Sequence, residues 1–223
     1  EEQLDAMVEK TKALEAYREA GEDPKALECI PMLKRSDIKR EAAKIINEEL
    51  TVDDSLFLYH DVCTNGIGYV DLMFKTDSIA PEQIPYLGLL KSVLGYVDTE
   101  NYTYGELFNE INANTGGINC GVEVFDRADS TEEFQAMFSV RGKALYTKMD
   151  FLFKMIGEIL NSSKLEDTKR LYEIVASVKS RAQVNLTGAG HSTAVLRAAA
   201  YSSPMAAFQD EMAGIGYYQF IED

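Results

Sequence analysis

SLFLYHDVCTNGIGYVDLMFK, Ser55 to Lys75, holds two runs rich in aromatic and β-branched residues on either side of a turn. Thr64-Asn65-Gly66 separates them, and Asn-Gly is the strongest short hairpin signal because both residues tolerate the left-handed backbone. In the second run Gly68, Val70, Leu72 and Phe74 share one face. Strands joined this tightly predict antiparallel pairing. Two further alternating runs lie downstream, with Ile118, Cys120, Val122 and Val124 in one and Phe134, Ala136, Phe138 and Val140 in the other.

Helical periodicity fills the spaces between. Pro81 suits a first helical turn, and Ile84, Leu87, Leu90 and Leu94 follow as one stripe. YTYGELFNEINANTGG is a second helix, closed by a glycine pair fit for a C-cap. A third, Met149–Leu160, carries Leu152, Met155, Ile156 and Ile159, and the next carries Leu171, Ile174, Val175 and Val178. The last segment is helical with a break at Pro204. The predicted fold class is α+β, an antiparallel sheet with helices packed on one face.

The first fifty residues read differently. Leu4, Met7, Val8 and Leu14 recur at helical spacing until Gly21 and Pro24. After Pro31, Ser36 is a candidate N-cap for a second helix whose stripe is Ile38, Ala42, Ile45 and Ile46. Residues 1–50 are therefore expected to form a helical linker or hairpin that leans on something else, ahead of a domain at 51–223. The chain starts without methionine and in mid-helix, which reads as a piece of a longer protein.

Composition narrows the function classes. The net charge of −15 repels phosphate backbones and anionic membranes, which argues against both as partners, and it suits basic peptides. Cys29, Cys63 and Cys120 are odd in number and widely spaced, so neither a disulfide framework nor a zinc knuckle is expected. No apolar run reaches the roughly 20 residues that span a bilayer.

One stretch imitates a hydrolase. Gly190-His191-Ser192-Thr193-Ala194 approximates the Gly-x-Ser-x-Gly nucleophile elbow. That triad needs serine, then acid, then histidine in chain order. The two histidines, His60 and His191, both precede Ser192, and His191 is its immediate neighbour. The segment before the stretch is helical where an elbow needs a strand. The preferred reading is a helix break over Gly188–Gly190 with Ser192 or Thr193 capping the next helix, and a serine hydrolase on Ser192 is the lesser alternative. Two histidines also fall short of a catalytic zinc shell, and His60, between Tyr59 and Asp61, reads as structural. No Gly-Lys-Ser/Thr follows the glycines near 186–190, which removes a phosphate loop.

Taken together, CIPMLKRSDI, TNGIGYVDLMF, PYLGLLKSVLG, YGELFNEINANTGGI and RAAAYSSPMAAFQDEMAGIGYYQFIED resemble the presequence-protease branch of the insulinase-like (pitrilysin) zinc metallopeptidases. The resemblance is in order across nearly the whole chain. It implies two clam-like halves, joined by a helical hairpin, that enclose and cut unstructured peptides. This chain is similar to the hairpin plus the first domain of the second half, the peptidase-associated region. With Gly95 as anchor, the family's inverted His-x-x-Glu-His slots fall on Tyr86, Leu89 and Leu90, none of which ligates zinc. The resemblance thus implies no catalytic residue and no metal ligand in this chain. Zinc, the catalytic half and the final domain are expected in the full-length protein, with peptides as substrates, and self-association is expected of the isolated piece. A stand-alone interaction module is the rival from a different class.

Overall fold

A computed structural model describes residues 2–21, 24–41, 44–130 and 132–223. The chain divides into two compact units, residues 1–62 and 63–223.

In the first unit, helix α1 spans Glu2–Glu19 and the short α2 spans Pro24–Leu27. Leu4, Met7, Val8 and Leu14 of α1 are all exposed. Among the described residues the helix expected to follow Ser36 is not formed. Arg35–Asp37 is a single 3-10 turn, and the Asp37 carboxylate accepts from the Lys34 amide at 2.8 Å. Ile38, Ile45 and Ile46 lie in irregular backbone, whereas Ala42 of the expected stripe lies outside the described residues. Glu48–Val52 becomes strand β1, paired antiparallel with β2, Ser55–Tyr59. The strand removes the last turn of the expected helix, and what remains is shorter than the dozen or so residues an unsupported helix requires. The connecting turn is Asp53-Asp54, both with positive φ of 47° and 65°. Aspartate tolerates this conformation, and two such residues twist as the flanking strands do.

The second unit holds a three-stranded antiparallel sheet in the order β3-β5-β4: β3 is Ile67–Lys75, β4 Ile118–Asp126 and β5 Phe134–Leu145. The Asn65-Gly66 turn forms, with φ of 52° and 84° and the Ile67 amide on the Thr64 carbonyl at 3.2 Å. It does not join a β2–β3 ladder: β2 pairs with β1, and β3 pairs with β5, Leu72 opposite Val140. On the other side of β5, Cys120 faces Val140 and Val122 faces Phe138. The alternation read from the sequence therefore places all three apolar rows on one face.

The helices of this unit are α3 (Ile84–Val93), α4 (Tyr104–Asn114), α5 (Met149–Ser162), α6 (Thr168–Gly188), α7 (Gly190–Ala199), α8 (Pro204–Ala213) and α9 (Ile215–Glu222). Residues of α3, α4, α5 and α8 cover that face, whereas α6, α7 and α9 pack mainly on other helices. Leu107 of α4 with Leu152, Met155 and Ile159 of α5 is fully buried against Val140. Two glycines let α5 approach: a Cβ at Gly68 would stand 2.5 Å from Met149 Sδ, and one at Gly142 2.7 Å from Leu152 Cδ1. Thr103 caps α4, its Oγ1 accepting from the Glu106 amide at 3.3 Å while Glu106 Oε2 accepts from the Thr103 amide at 2.9 Å. This is a reciprocal capping box. Glu158 of α5 fastens the loop before α4 by accepting from the Asn101 amide and side chain at 3.2 and 2.9 Å. A second cluster, including Val97, Ile174, Val178, Tyr217 and Ile221, fills the space between α3, α6 and α9.

The opposite face of the sheet is polar at its centre. Arg141 donates to Asp71 at 2.6 Å and reaches Glu123 at 3.1 Å, one guanidinium spanning all three strands. The hydrogen bond to Asp71 raises its pKa further. Tyr69, Met73 and Phe125 stand exposed on the same face.

Cys120 lies on the covered face, and burial pushes its thiol up to about 11. Thiolate is the reactive form, so Cys120 is expected to alkylate at least about tenfold more slowly in the native protein at pH 8 than in the unfolded chain. Mass-spectrometric counting of iodoacetamide adducts with time checks this. Equal rates would place Cys120 at the surface.

Candidate functional site

The hydrolase-like stretch is a helix junction. Helix α6 ends at Gly188 and α7 begins at Gly190, which is the expected break. The expected cap differs. Ala189 occupies the N-cap position, and the Thr193 hydroxyl, one turn into α7, donates back to the Ala189 carbonyl at 3.2 Å. Ser192 is exposed in the first turn, with His191 beside it, also exposed. Side chains one residue apart on a helix diverge, so this pair has no geometry for proton transfer. His60 Nδ1 donates to the Ile46 carbonyl at 2.7 Å, which ties the end of β2 to the segment before β1.

The slots assigned to the inverted zinc motif lie on α3. Tyr86 is exposed and packs edge-on against Phe220, with ring centroids 4.7 Å apart. Leu90 packs into the core under the sheet and Leu89 into the second cluster. A phenol and two alkyl chains do not make a zinc shell, so these positions do not fit the metal. Among the described residues no three His, Cys, Asp or Glu side chains gather around one point.

A buried polar group that the sequence reading did not single out lies at the α8–α9 corner. Asp210 of α8 is 1% exposed. Its carboxylate accepts from the Ile215 amide at 3.1 Å and the Gly216 amide at 3.2 Å, capping α9 from the preceding helix. Arg197 of α7 donates to the same carboxylate at 2.6 Å, and this bond raises the guanidinium's pKa. A Cβ on Gly214 would stand 2.3 Å from Asp210 Oδ1, so the corner requires glycine there. The legible signal was DEMAGIG, a carboxylate followed at four residues by a glycine that leaves room for it and at five and six by the Ile215 and Gly216 amides that close on it. The group joins three helices. It has the geometry of a brace, with every carboxylate contact internal.

A model of the peptidase-associated family, described for subfamily C of the M16 peptidases, matches residues 1–223. The chain belongs to that family. The resemblance to presequence-protease-like insulinase-type peptidases is thereby shown. Protein HypA of Clostridium perfringens is 35% identical over 221 residues, covering 99% of this chain and 23% of that protein. Presequence protease 1, chloroplastic/mitochondrial, of Arabidopsis thaliana is 28% identical over 221 residues, 99% of this chain and 20% of its own length. The mitochondrial presequence protease of Yarrowia lipolytica is 29% identical over 202 residues, 91% of this chain and 20% of its own. The chain thus spans between a fifth and a quarter of the length of these three relatives.

Proposed function

We propose that this chain is the non-catalytic, peptidase-associated part of a zinc-dependent metalloendopeptidase that degrades unstructured peptides. The observation that carries the reading is the family match over the whole chain, beside relatives named presequence protease that are several times longer. In this reading residues 1–50 act as the linker between two halves and residues 51–223 as a wall of the enclosing chamber. Enclosure admits flexible chains and excludes folded ones, and motion about a linker gates entry. The zinc ligands, the general base and the final domain belong to the rest of the protein, so this region shapes and closes the reaction space. Self-association follows for the isolated chain, whose partner surfaces would be left open. The net charge of −15 favours basic peptides as substrates.

The test compares the complete natural protein with isolated residues 1–223 on a flexible fluorogenic peptide. The complete protein is expected to cleave it, to lose activity with 1,10-phenanthroline and to regain it with zinc, while the isolated chain shows no turnover. Cleavage by the isolated chain, or chelator-resistant cleavage by the complete protein, overturns the reading.

A further inference from the structure

Asn65-Gly66 is the one Asn-Gly pair in the sequence. Both residues have positive φ, and the Ile67 amide donates to the Thr64 carbonyl across them. Two positive φ values closed by that bond define a type I′ turn. The peptide unit between the two residues is unanchored. Neither the Asn65 carbonyl nor the Gly66 amide has a hydrogen-bond partner among the described residues. The Gly66 nitrogen is also uncrowded, since a Cβ built on that residue would meet nothing within 4 Å.

The Asn65 side chain is equally free to react. It is exposed, its Oδ1 accepts from the Cys63 thiol at 3.7 Å, and its Nδ2 makes no hydrogen bond among the described residues. By contrast, the side-chain amides of Asn101, Asn114 and Asn161 are held by Glu158, Glu110 and Gly157. A type II′ turn keeps the closing bond and the positive φ at its first central residue, and differs from type I′ by a flip of the central peptide unit. That flip takes the Asn65 ψ to about −120°. The Gly66 nitrogen then lies in line with the Asn65 Cβ, as closure of a five-membered ring requires. Glycine takes either sign of φ and follows the flip without strain.

We infer that Asn65 is a self-modification site, converted through a succinimide to isoaspartate and aspartate. The Gly66 nitrogen bonds to Asn65 Cγ, and the Cγ–Nδ2 bond breaks. The Gly66 proton passes through water to the departing nitrogen, which leaves as ammonia. Water then opens the ring at Cγ, giving aspartate, or at the Asn65 backbone carbonyl, giving isoaspartate. One water is consumed and one ammonia released. Isoaspartate adds a methylene to the main chain inside a turn that is fastened to the end of β5. Thr64 Oγ1 shares a hydrogen bond with the Tyr146 hydroxyl at 2.8 Å, and the Tyr146 amide donates to the Gly66 carbonyl at 2.9 Å. The longer backbone displaces these contacts and loosens the start of β3. The inference is independent of the peptidase reading, since the reaction needs only this turn and water.

Incubation of the complete natural protein at pH 8, followed by peptide mapping and isoaspartyl methyltransferase labelling, tests it. Residue 65 is expected to convert at least about tenfold faster than any other asparagine, because nucleophile and carbonyl are both unobstructed there. Its rate is expected to lie within about tenfold of that in guanidinium-unfolded chain, since the flip breaks no hydrogen bond. Both isoaspartate and aspartate are expected, and hydroxylamine should cleave the aging protein between residues 65 and 66 by trapping the ring. The isoaspartate form is expected to have a lower Tm than the parent, whereas Asn65→Asp, with the charge but not the methylene, keeps the parent's Tm. No conversion at residue 65, conversion more than about tenfold slower than in the unfolded chain, or aspartate without isoaspartate overturns the inference. An unchanged Tm in the isoaspartate form, or an equal loss in Asn65→Asp, overturns the loosening of β3.

Discussion

Asp210→Ala is expected to destabilise the protein by about 3 kcal/mol, from the loss of a helix cap and of buried charge-assisted hydrogen bonds. The carboxylate is the shared acceptor of the Ile215 and Gly216 amides and of Arg197. Alanine leaves two amides at the start of α9 unsatisfied in a site with 1% exposure at position 210, where water does not readily replace the lost acceptor. It also removes a negative charge from the positive end of the α9 dipole. The Arg197 side chain is 38% accessible, so its freed charge can turn to solvent and adds little. Asp210→Asn keeps one acceptor oxygen and should lose about half as much. Urea denaturation followed by circular dichroism measures both. A change below about 1 kcal/mol for Asp210→Ala would mean that the three helices hold the corner without the brace.

Gly88→Ala should cost about 2 to 3 kcal/mol, at the upper end of what overpacking by one methyl usually does. The added Cβ would lie 2.7 Å from the Met212 carbonyl oxygen and 2.7 Å from Tyr217 Cε2. The first neighbour is backbone and the second is a buried ring, so neither can swing aside as the end of a flexible chain would. Helix α3 must therefore move away from α8 and α9, which opens the second cluster around Val93 and Tyr217. Alanine is the better helix former by about 1 kcal/mol, so an exposed position would show the opposite sign. Gly105 provides that control, because nothing lies within 4 Å of a Cβ built there. Gly105→Ala should be neutral or stabilising in the same denaturation series. If both substitutions stabilise, the close approach of α3 to the α8–α9 corner is not present in solution.

The two predictions concern places that sequence reading treated unequally. Gly88 sits inside a helix whose stripe, Ile84, Leu87 and Leu90, was legible, yet nothing local said which helix would cross it. Asp210 was legible as one acid among many, and its role depends on Arg197 thirteen residues away and on amides in the next helix. Ser192 and His191 were legible as part of a helix start, because chain order and helical divergence are local arguments. The cap itself was misassigned, since Thr193 bonds backward to Ala189 from inside the first turn.

Alternation at 118–124 and 134–140 and the apolar stripes of α3, α5 and α6 were settled by the sequence alone, because a strand or helix repeats its buried face every two or 3.6 residues whatever it packs against. The choice of β5 as partner for β3, of β1 for β2, and of a strand at Glu48–Val52 where the end of a helix was expected belonged to the tertiary structure. A strand edge offers the same amides and carbonyls to any partner. Which one it meets is fixed by the summed burial of residues some seventy apart in the chain, as with Asp71 and Arg141.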